Sequence, residues 1–68
     1  MKVKYFPDTD TAHVEFTTGE GCETKEISEN IYVDIDEFGN LVSMTIEHAK
    51  ANAGLSEFSY QEINPQAI

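Results

Sequence analysis

The pattern of apolar and polar positions predicts short extended strands through most of the chain. Apolar side chains recur at every second position, which is the period of a strand with one buried face. Five segments carry this pattern and are predicted strands: 2–6, 11–17, 23–28, 31–36 and 41–47. The third is the weakest, because only Ile27 and Thr24 are candidates for the core, and its charges suit an edge position.

Turn-forming residues separate these segments. Residues 7–10 predict a turn, because proline fixes its own φ and Asp side chains bond nearby backbone amides. Residues 19–21 form a glycine-rich link, and residues 28–30 a further turn. Residues 36–40 predict a hairpin loop in which Gly39 takes the left-handed conformation. Such short connections favour antiparallel neighbours.

The periodicity changes after the fifth strand. Residues 48–53 have high helix propensity and no β-branching, and Gly54 suits the residue that stops a helix. Leu55 and Phe58 indicate a further helical turn or two, and Pro65 ends regular structure. We therefore expect an α+β fold: a four- to five-stranded antiparallel β-meander with a C-terminal helix packed on one face. Residues 1–63 are predicted to form one domain, and residues 64–68 a loose tail.

One face of the predicted sheet collects the apolar side chains: Val3, Tyr5, Ala12, Val14, Phe16, Ile31, Val33, Ile35, Val42, Met44 and Ile46. A sheet face of this kind must be buried against another layer. The helical segment offers Ala49, Ala53, Leu55 and Phe58 for this purpose. One helix covers little of four or five strands, so we expect a second copy of the sheet to complete the cover.

Length and cysteine content favour the same conclusion. A chain of 68 residues forms one domain at most, and small domains usually need a disulfide, a structural metal or a partner. Cys22 has no second cysteine to pair with, and one Cys and two His are few metal ligands. We therefore expect a homodimer or a complex with another protein, and no cofactor.

Net charge limits the classes of partner. Thirteen acidic residues against four lysines and no arginine give a formal charge of −9. Nucleic acids and anionic membranes need a cationic protein surface, so neither is expected to bind directly. Solvation of the surface explains such a charge in many proteins, and attraction to a basic protein is the functional alternative.

Cellular location is predicted from three features. The first four residues lack the apolar run of a signal peptide, and no apolar stretch reaches the roughly 20 residues of a membrane helix. A lone thiol fits a reducing compartment. The sequence therefore predicts a cytoplasmic protein.

Three segments carry a family resemblance. Residues 5–16 resemble the opening of the domain of unknown function 2283 family: an aromatic, a turn with two acids and a strand. Residues 33–42 are similar to that family's signature hairpin, and residues 46–49 to its entry into the helix. The resemblance spans roughly residues 1–52. His13, Ser43 and Thr45 stand where the family pattern usually has other residues, which weakens any surface function shared with it.

The resemblance implies a small sheet-plus-helix domain with no assigned activity. Family members are often encoded beside a small protein of the domain of unknown function 4258 type, which resembles a ribosome-dependent RNase toxin. This gene neighbourhood implies an antitoxin-like partner role. It is an association, because a shared fold does not by itself establish a site.

The acids on the polar strand faces and the hairpin loop are the candidate partner-binding residues. They are Glu15, Asp34, Asp36, Glu37 and Glu47. In this hypothesis they bind a basic protein and compete with RNA for its cleft, with charge complementarity speeding association. The domain is then a small acidic, non-enzymatic protein-interaction module.

The alternative is a metal-dependent or hydrolytic activity. His13 and Glu15 lie two residues apart on one strand face, and His48 would complete a His₂-carboxylate site if the helix entry met that strand. An exposed histidine in a polar stripe is the simpler interpretation. An accessory structural role is a third possibility, for which the sequence offers no feature.

Other constellations favour structural interpretations. Residues 34–45 resemble a calcium loop superficially, but Phe38 and Thr45 stand at two ligand positions, so a hairpin with solvated acids is expected. Cys22 lies beside acidic residues, which disfavour the reactive thiolate. Four aromatics outside the apolar face could anchor an interface or form a second small cluster: Tyr32, Phe38, Phe58 and Tyr60.

Overall fold

The computed structural model describes residues 1–54, Glu57 and residues 59–65. The strands in this part of the chain are β1 (Lys2–Phe6), β2 (Thr11–Glu15), β3 (Glu23–Ser28), β4 (Ile31–Ile35) and β5 (Leu41–Ile46), and the helix is α1 (Ala49–Ala53). The strands form a single five-stranded antiparallel sheet. The predicted α+β fold, an antiparallel meander-like sheet followed by a C-terminal helix, is confirmed.

Strand order in the sheet is β1-β2-β5-β4-β3. Consecutive strands pair as predicted within β1–β2 and within β3–β4–β5. The two groups join where β2 pairs with β5, with Val14 opposite Met44. The chain reaches this order through residues 16–22, which lead from β2 to the far edge of the sheet. The charged third strand lies at that edge, as expected.

Both predicted core positions of β3 are exposed, and a bulge accounts for one of them. Between Glu26 and Ser28 the register of β3 against β4 shifts, so Ile27 has no opposite residue and its side chain is 61% exposed instead of lying in the core. Thr24 pairs with Asp34 and is exposed. A second shift lies where Asp34 pairs with Ser43 but the next residue of β4 pairs with Leu41.

The loop between β4 and β5 has the predicted hairpin geometry. Gly39 takes a φ of 83°, which is the left-handed region that its lack of Cβ permits. The amides of Phe38 and Asn40 donate to Asp36 Oδ1 at 2.9 and 2.8 Å, and the Asn40 side-chain amide donates to Oδ2 at 3.2 Å. Because both oxygens accept bonds within the loop, the Asp36 side chain closes this turn.

The helix is shorter than predicted and covers less. His48 precedes it in the left-handed conformation, with a φ of 52°, and Gly54 ends it in the same region, with a φ of 57°. Ala49 is fully buried, whereas Ala53 is exposed and does not contribute to the cover. The predicted contributions of Leu55 and Phe58 lie outside the described residues.

After Gly54, the described residues form neither helix nor strand, and Tyr60 and Ile63 are 74% and 80% exposed. Residues 66–68 of the predicted tail lie outside the described part, and the domain boundary at residue 63 stays a prediction. Within the described residues, we find no helix with the length and apolar character needed to cross a membrane.

The core of the described part is small. Its buried apolar residues are Ala12, Val14, Val42 and Ala49. The remaining large side chains of the apolar sheet face are half-buried: Val3, Tyr5, Phe16, Ile31, Val33, Ile35, Met44 and Ile46. No large side chain among the described residues is fully buried. The sheet is thus a single layer with an apolar face that the described chain covers only in part.

Candidate functional site

The opposite, polar face of the sheet collects the candidate residues through the strand register. We use this name for the face formed by Lys2, Lys4, His13, Glu15, Thr24, Glu26, Tyr32, Asp34, Ser43 and Thr45. Glu15 and Asp34 both pair with Ser43, one from each side. Since neighbouring strands lie about 4.8 Å apart, the backbones of these two acids are separated by roughly 10 Å across β5.

Asp34 is held rigidly between three strands. Thr24 Oγ1 donates to its Oδ1, and Ser43 Oγ donates to its Oδ2 at 2.8 Å. The hydrogen bond from Thr24 and then that from Ser43 lower the pKa of the Asp34 carboxyl below its ordinary value. Ser43 is buried, with 6% of its surface exposed. The buried hydroxyl of Ser43 therefore acts as a hydrogen-bond donor to the carboxylate of Asp34.

Glu15 has a cationic neighbour. Lys4 Nζ lies 2.9 Å from Glu15 Oε1, and this bond is the main reason why the pKa of Glu15 is lowered. His13 Nε2 lies 3.9 Å from the same oxygen, and its Nδ1 is 3.1 Å from Thr45 Oγ1. This contact with Thr45 fixes the plane of the imidazole ring. His13 and Ser43 thus have different hydrogen-bond partners, Thr45 and Asp34 respectively.

A cleft of about 350 Å³ lies on the polar face between the two acids. It is lined by His13, Glu15, Thr17, Thr18, Gly19, Gly21, Asp34, Val42 and Ser43. Residues 17–21 belong to the link between β2 and β3. Two backbone hydrogen bonds hold this link to the sheet: the amide of Thr17 donates to Val42 O, and the amide of Cys22 donates to Ile35 O. The backbone of Gly21 lies against Asp34, because a Cβ on that glycine would be 2.9 Å from Asp34 Cβ.

The remaining predicted acids lie near this face or at its end. Glu47 follows β5 and is exposed, and its charge is the main reason why the pKa of Tyr32 is raised. Asp36 and Glu37 stand in the β4–β5 loop, where Asp36 is engaged by the loop amides and Glu37 is exposed. Two roles are therefore distinguishable: Asp34 and Asp36 organise the structure, whereas Glu37 and Glu47 are exposed to solvent.

The three residues of the alternative metal site are not brought together. His13 and Glu15 are neighbours, but His48 lies beyond the other end of β2, beside Asp10, whose pKa its charge helps to lower. The four residue steps from Thr11 to Glu15 span roughly 13 Å at the rise of a strand. In the described ranges, no group of three or more His, Cys, Asp or Glu side chains could hold a metal ion.

The other sequence constellations have structural or solvent-exposed positions. Cys22 is exposed at the start of β3. Tyr32 is half-buried on the polar face, and its hydroxyl donates to Glu29 O at 3.2 Å. Phe38 is 80% exposed in the hairpin loop, and Phe58 lies outside the described residues.

A contact centred on Asp10 was not predicted from the sequence. Tyr5 Oη donates to Asp10 Oδ1 at 2.7 Å, the amide of Lys50 donates to the same oxygen at 3.1 Å, and the amide of Ala49 donates to Asp10 O at 2.8 Å. The bond from Tyr5 and then that from the Lys50 amide lower the pKa of the Asp10 carboxyl. The Lys50 ammonium lies 5.3 Å from the centre of the Tyr5 ring.

Asp10 therefore caps the first turn of α1 from a distance of 40 residues in sequence. Its φ of 53° is a left-handed value that Asp tolerates better than most residues. The sequence offers one signal for this contact. The helix begins without a Ser, Thr, Asp or Asn at its cap position, and an acid stands in the earlier turn of residues 7–10.

Comparison with known proteins agrees with the sequence resemblance. The model of one protein family, described as "Protein of unknown function (DUF2283)", matches residues 2–50. This range contains all five strands and the start of the helix. No curated protein and no solved structure matches the chain. Because the family model covers more than half of the sequence, the chain belongs to the DUF2283 family of proteins of unknown function.

Proposed function

We propose that this chain is a non-enzymatic protein-interaction domain that binds a basic protein through its polar face, in the manner of an antitoxin. The observation that carries the proposal is the shared location of the acids. Glu15, Glu26 and Asp34 lie on the polar face by register, and Glu47 lies beside Tyr32 of the same face.

Charge and protonation support this role. The chain has a formal charge of −9, so its field attracts cationic proteins. The lowered pKa values of Glu15 and Asp34 keep both carboxylates ionised at neutral pH. They flank a cleft of about 350 Å³ on the polar face. The gene neighbourhood implied by the family resemblance supplies a candidate partner class, a basic RNase toxin.

Binding of a purified toxin-like protein of the domain of unknown function 4258 type, measured by calorimetry over a series of salt concentrations, tests the proposal. Glu26→Gln/Glu47→Gln removes two charges from the polar face region. Glu23→Gln/Glu62→Gln is the matched control, because Glu23 pairs with Ile35 on the opposite face and Glu62 lies after the helix. We expect the first pair to weaken binding about tenfold, which corresponds to roughly 1.4 kcal/mol, and to reduce its salt dependence.

Three results would contradict the proposal. The first is that no protein co-purifies with the chain from its host at low salt and the protein of the domain of unknown function 4258 type does not bind. The second is binding that ignores salt. The third is an equal effect of the two double variants, which would show that only total charge matters.

The hydrolytic or metal-dependent alternative has one supporting observation, the proximity of His13 and Glu15. Metal analysis of protein purified without a histidine tag discriminates between the two functions. Stoichiometric zinc or nickel that is lost in His13→Ala would favour the alternative, and sub-stoichiometric metal throughout would remove it.

A further inference from the structure

The apolar face, opposite the polar face, is a large surface without a complete cover in the described chain. Its central row runs across all five strands: Val3, Val14, Met44, Val33 and Lys25. Val14 is buried, but Val3, Met44 and Val33 are each only half-buried. Tyr60 and Ile63, two apolar residues after the helix, are largely exposed and therefore do not lie on this face.

Surface area indicates that the chain alone is incompletely packed. A folded monomer of 7.6 kDa exposes about 4,300 Å² by the usual scaling with mass, whereas this chain exposes 5519 Å². The exposed residues after the helix contribute part of this excess, and the half-exposed apolar face is a second contributor. A standard protein interface removes about 800 Å² from each partner, which lies within the excess.

The distribution of charge selects the occupant. On the apolar face the register places only one acid and one base, Glu23 and Lys25, both at the β3 edge, so this face is close to neutral. The polar face carries three acids against two lysines, so its field for a cationic partner is stronger than that of the apolar face. Two copies, each with a formal charge of −9, repel one another least when their polar faces point away from each other.

We propose that the apolar face packs against the same face of a second copy of this chain. The two sheets then stack about 10 Å apart as a sandwich, with both polar faces outward. The charged β3 edge disfavours the alternative of edge-to-edge pairing of strands. The inference does not depend on the proposed function, because it concerns the chain in the absence of any partner.

The oligomeric state of the purified full chain tests this inference. Met44→Lys places a charge at the centre of the apolar face, and Thr45→Lys places the same charge on the adjacent residue, which points to the polar face. By analytical ultracentrifugation we expect a species of about 15 kDa, twice the chain mass of 7.6 kDa, for the native chain and for Thr45→Lys. Met44→Lys should weaken self-association at least a hundredfold.

Two measurements on the native chain keep the test valid if Met44→Lys does not fold. The melting temperature of a dimer rises with protein concentration, whereas that of a monomer does not. A soluble paramagnetic agent should broaden the methyl signals of Ile27 and leave those of Val33 and Ile46 protected. Both results together support the inference.

If the apolar face is open or is covered in another way, the same measurements give different results, and each of these would overturn the proposed dimer. A monomer at all concentrations with broadened Val33 and Ile46 signals means that the face is open. A monomer with protected signals that become exposed on truncation after Gly54 means that the chain's own C-terminal residues cover it. A dimer that is lost in Thr45→Lys but not in Met44→Lys places the interface on the polar face.

Discussion

Two glycines of the link between β2 and β3 are expected to respond oppositely to the same substitution. Gly21 and Gly19 both have backbone conformations that other residues adopt, so the effect of a Cβ is purely steric. At Gly21 the added atom would lie 2.9 Å from Asp34 Cβ and 3.9 Å from Asp34 Cα. At Gly19 the nearest atom, Thr17 Oγ1, is 3.5 Å away, which is ordinary contact.

Asp34 has little freedom to move away from a new methyl group. Its carboxylate is bonded by Thr24 and Ser43, and its backbone is paired on both sides within the sheet. Overpacking of this kind costs typically about 1–3 kcal/mol. Gly19→Ala should leave the free energy of unfolding unchanged or raise it by about 0.4–1 kcal/mol, because alanine restricts the unfolded chain.

Thermal unfolding followed by circular dichroism measures the difference. In a domain of this size 1 kcal/mol shifts the melting temperature by roughly 4–8 °C, so Gly21→Ala should lower it by roughly 4–24 °C. Gly19→Ala serves as the control for the substitution itself. Equal melting temperatures for the two variants would refute the close packing of the link against Asp34 and, with it, the fixed shape of the cleft.

Three further outcomes follow from the turns and hydrogen bonds. Gly39→Ala should destabilise the chain by about 1–2 kcal/mol because of the positive φ, whereas Gly39→Asn should cost less, as measured by urea denaturation. The pKa of Asp34 is lowered in the folded state, so its carboxyl binds fewer protons there than in the unfolded state, and the free energy of unfolding falls as pH drops below 3.8. Ser43→Ala should make this fall less steep and lower the free energy of unfolding at pH 6. An unchanged profile in urea denaturation would contradict this prediction. Tyr5→Phe should increase hydrogen exchange at the amide of Lys50 while the strand amides remain protected, and equal protection would show that Asp10 holds the helix without Tyr5.

Local patterns were sufficient to predict the elements but not their full arrangement. Alternation identified all five strands, and the charges of β3 placed it at an edge, because both features act within a few residues. The pairing of β2 with β5 was not predicted, since hairpins constrain only neighbouring segments and the long-range pair depends on which faces bury together. Ile27 was misplaced because a one-residue bulge has no clear signal in a single sequence.

For the candidate site, the sequence likewise predicted the positions of the acids but not their hydrogen-bond partners. Charge and alternation located the acids, and the structure places Glu15 and Asp34 on one face. The sequence did not distinguish acids that bond within the chain from acids that face solvent, because the partners of Asp34 and Asp10 come from other elements. It is this distinction that gives Glu47 more weight than Asp36 in the proposed binding of a basic protein.

The two proposed surfaces together predict a stoichiometry. If apolar faces pack against each other, the polar faces of the dimer point in opposite directions and do not share residues, so a partner on one face leaves the other accessible. Calorimetry should then give one basic partner per chain, and sedimentation a complex of two chains with two partners. One partner per two chains would mean that the partner contacts both copies at once, which outward-facing polar faces do not permit. That result would contradict the sandwich arrangement while leaving the acidic interaction itself in place, since binding would still be observed.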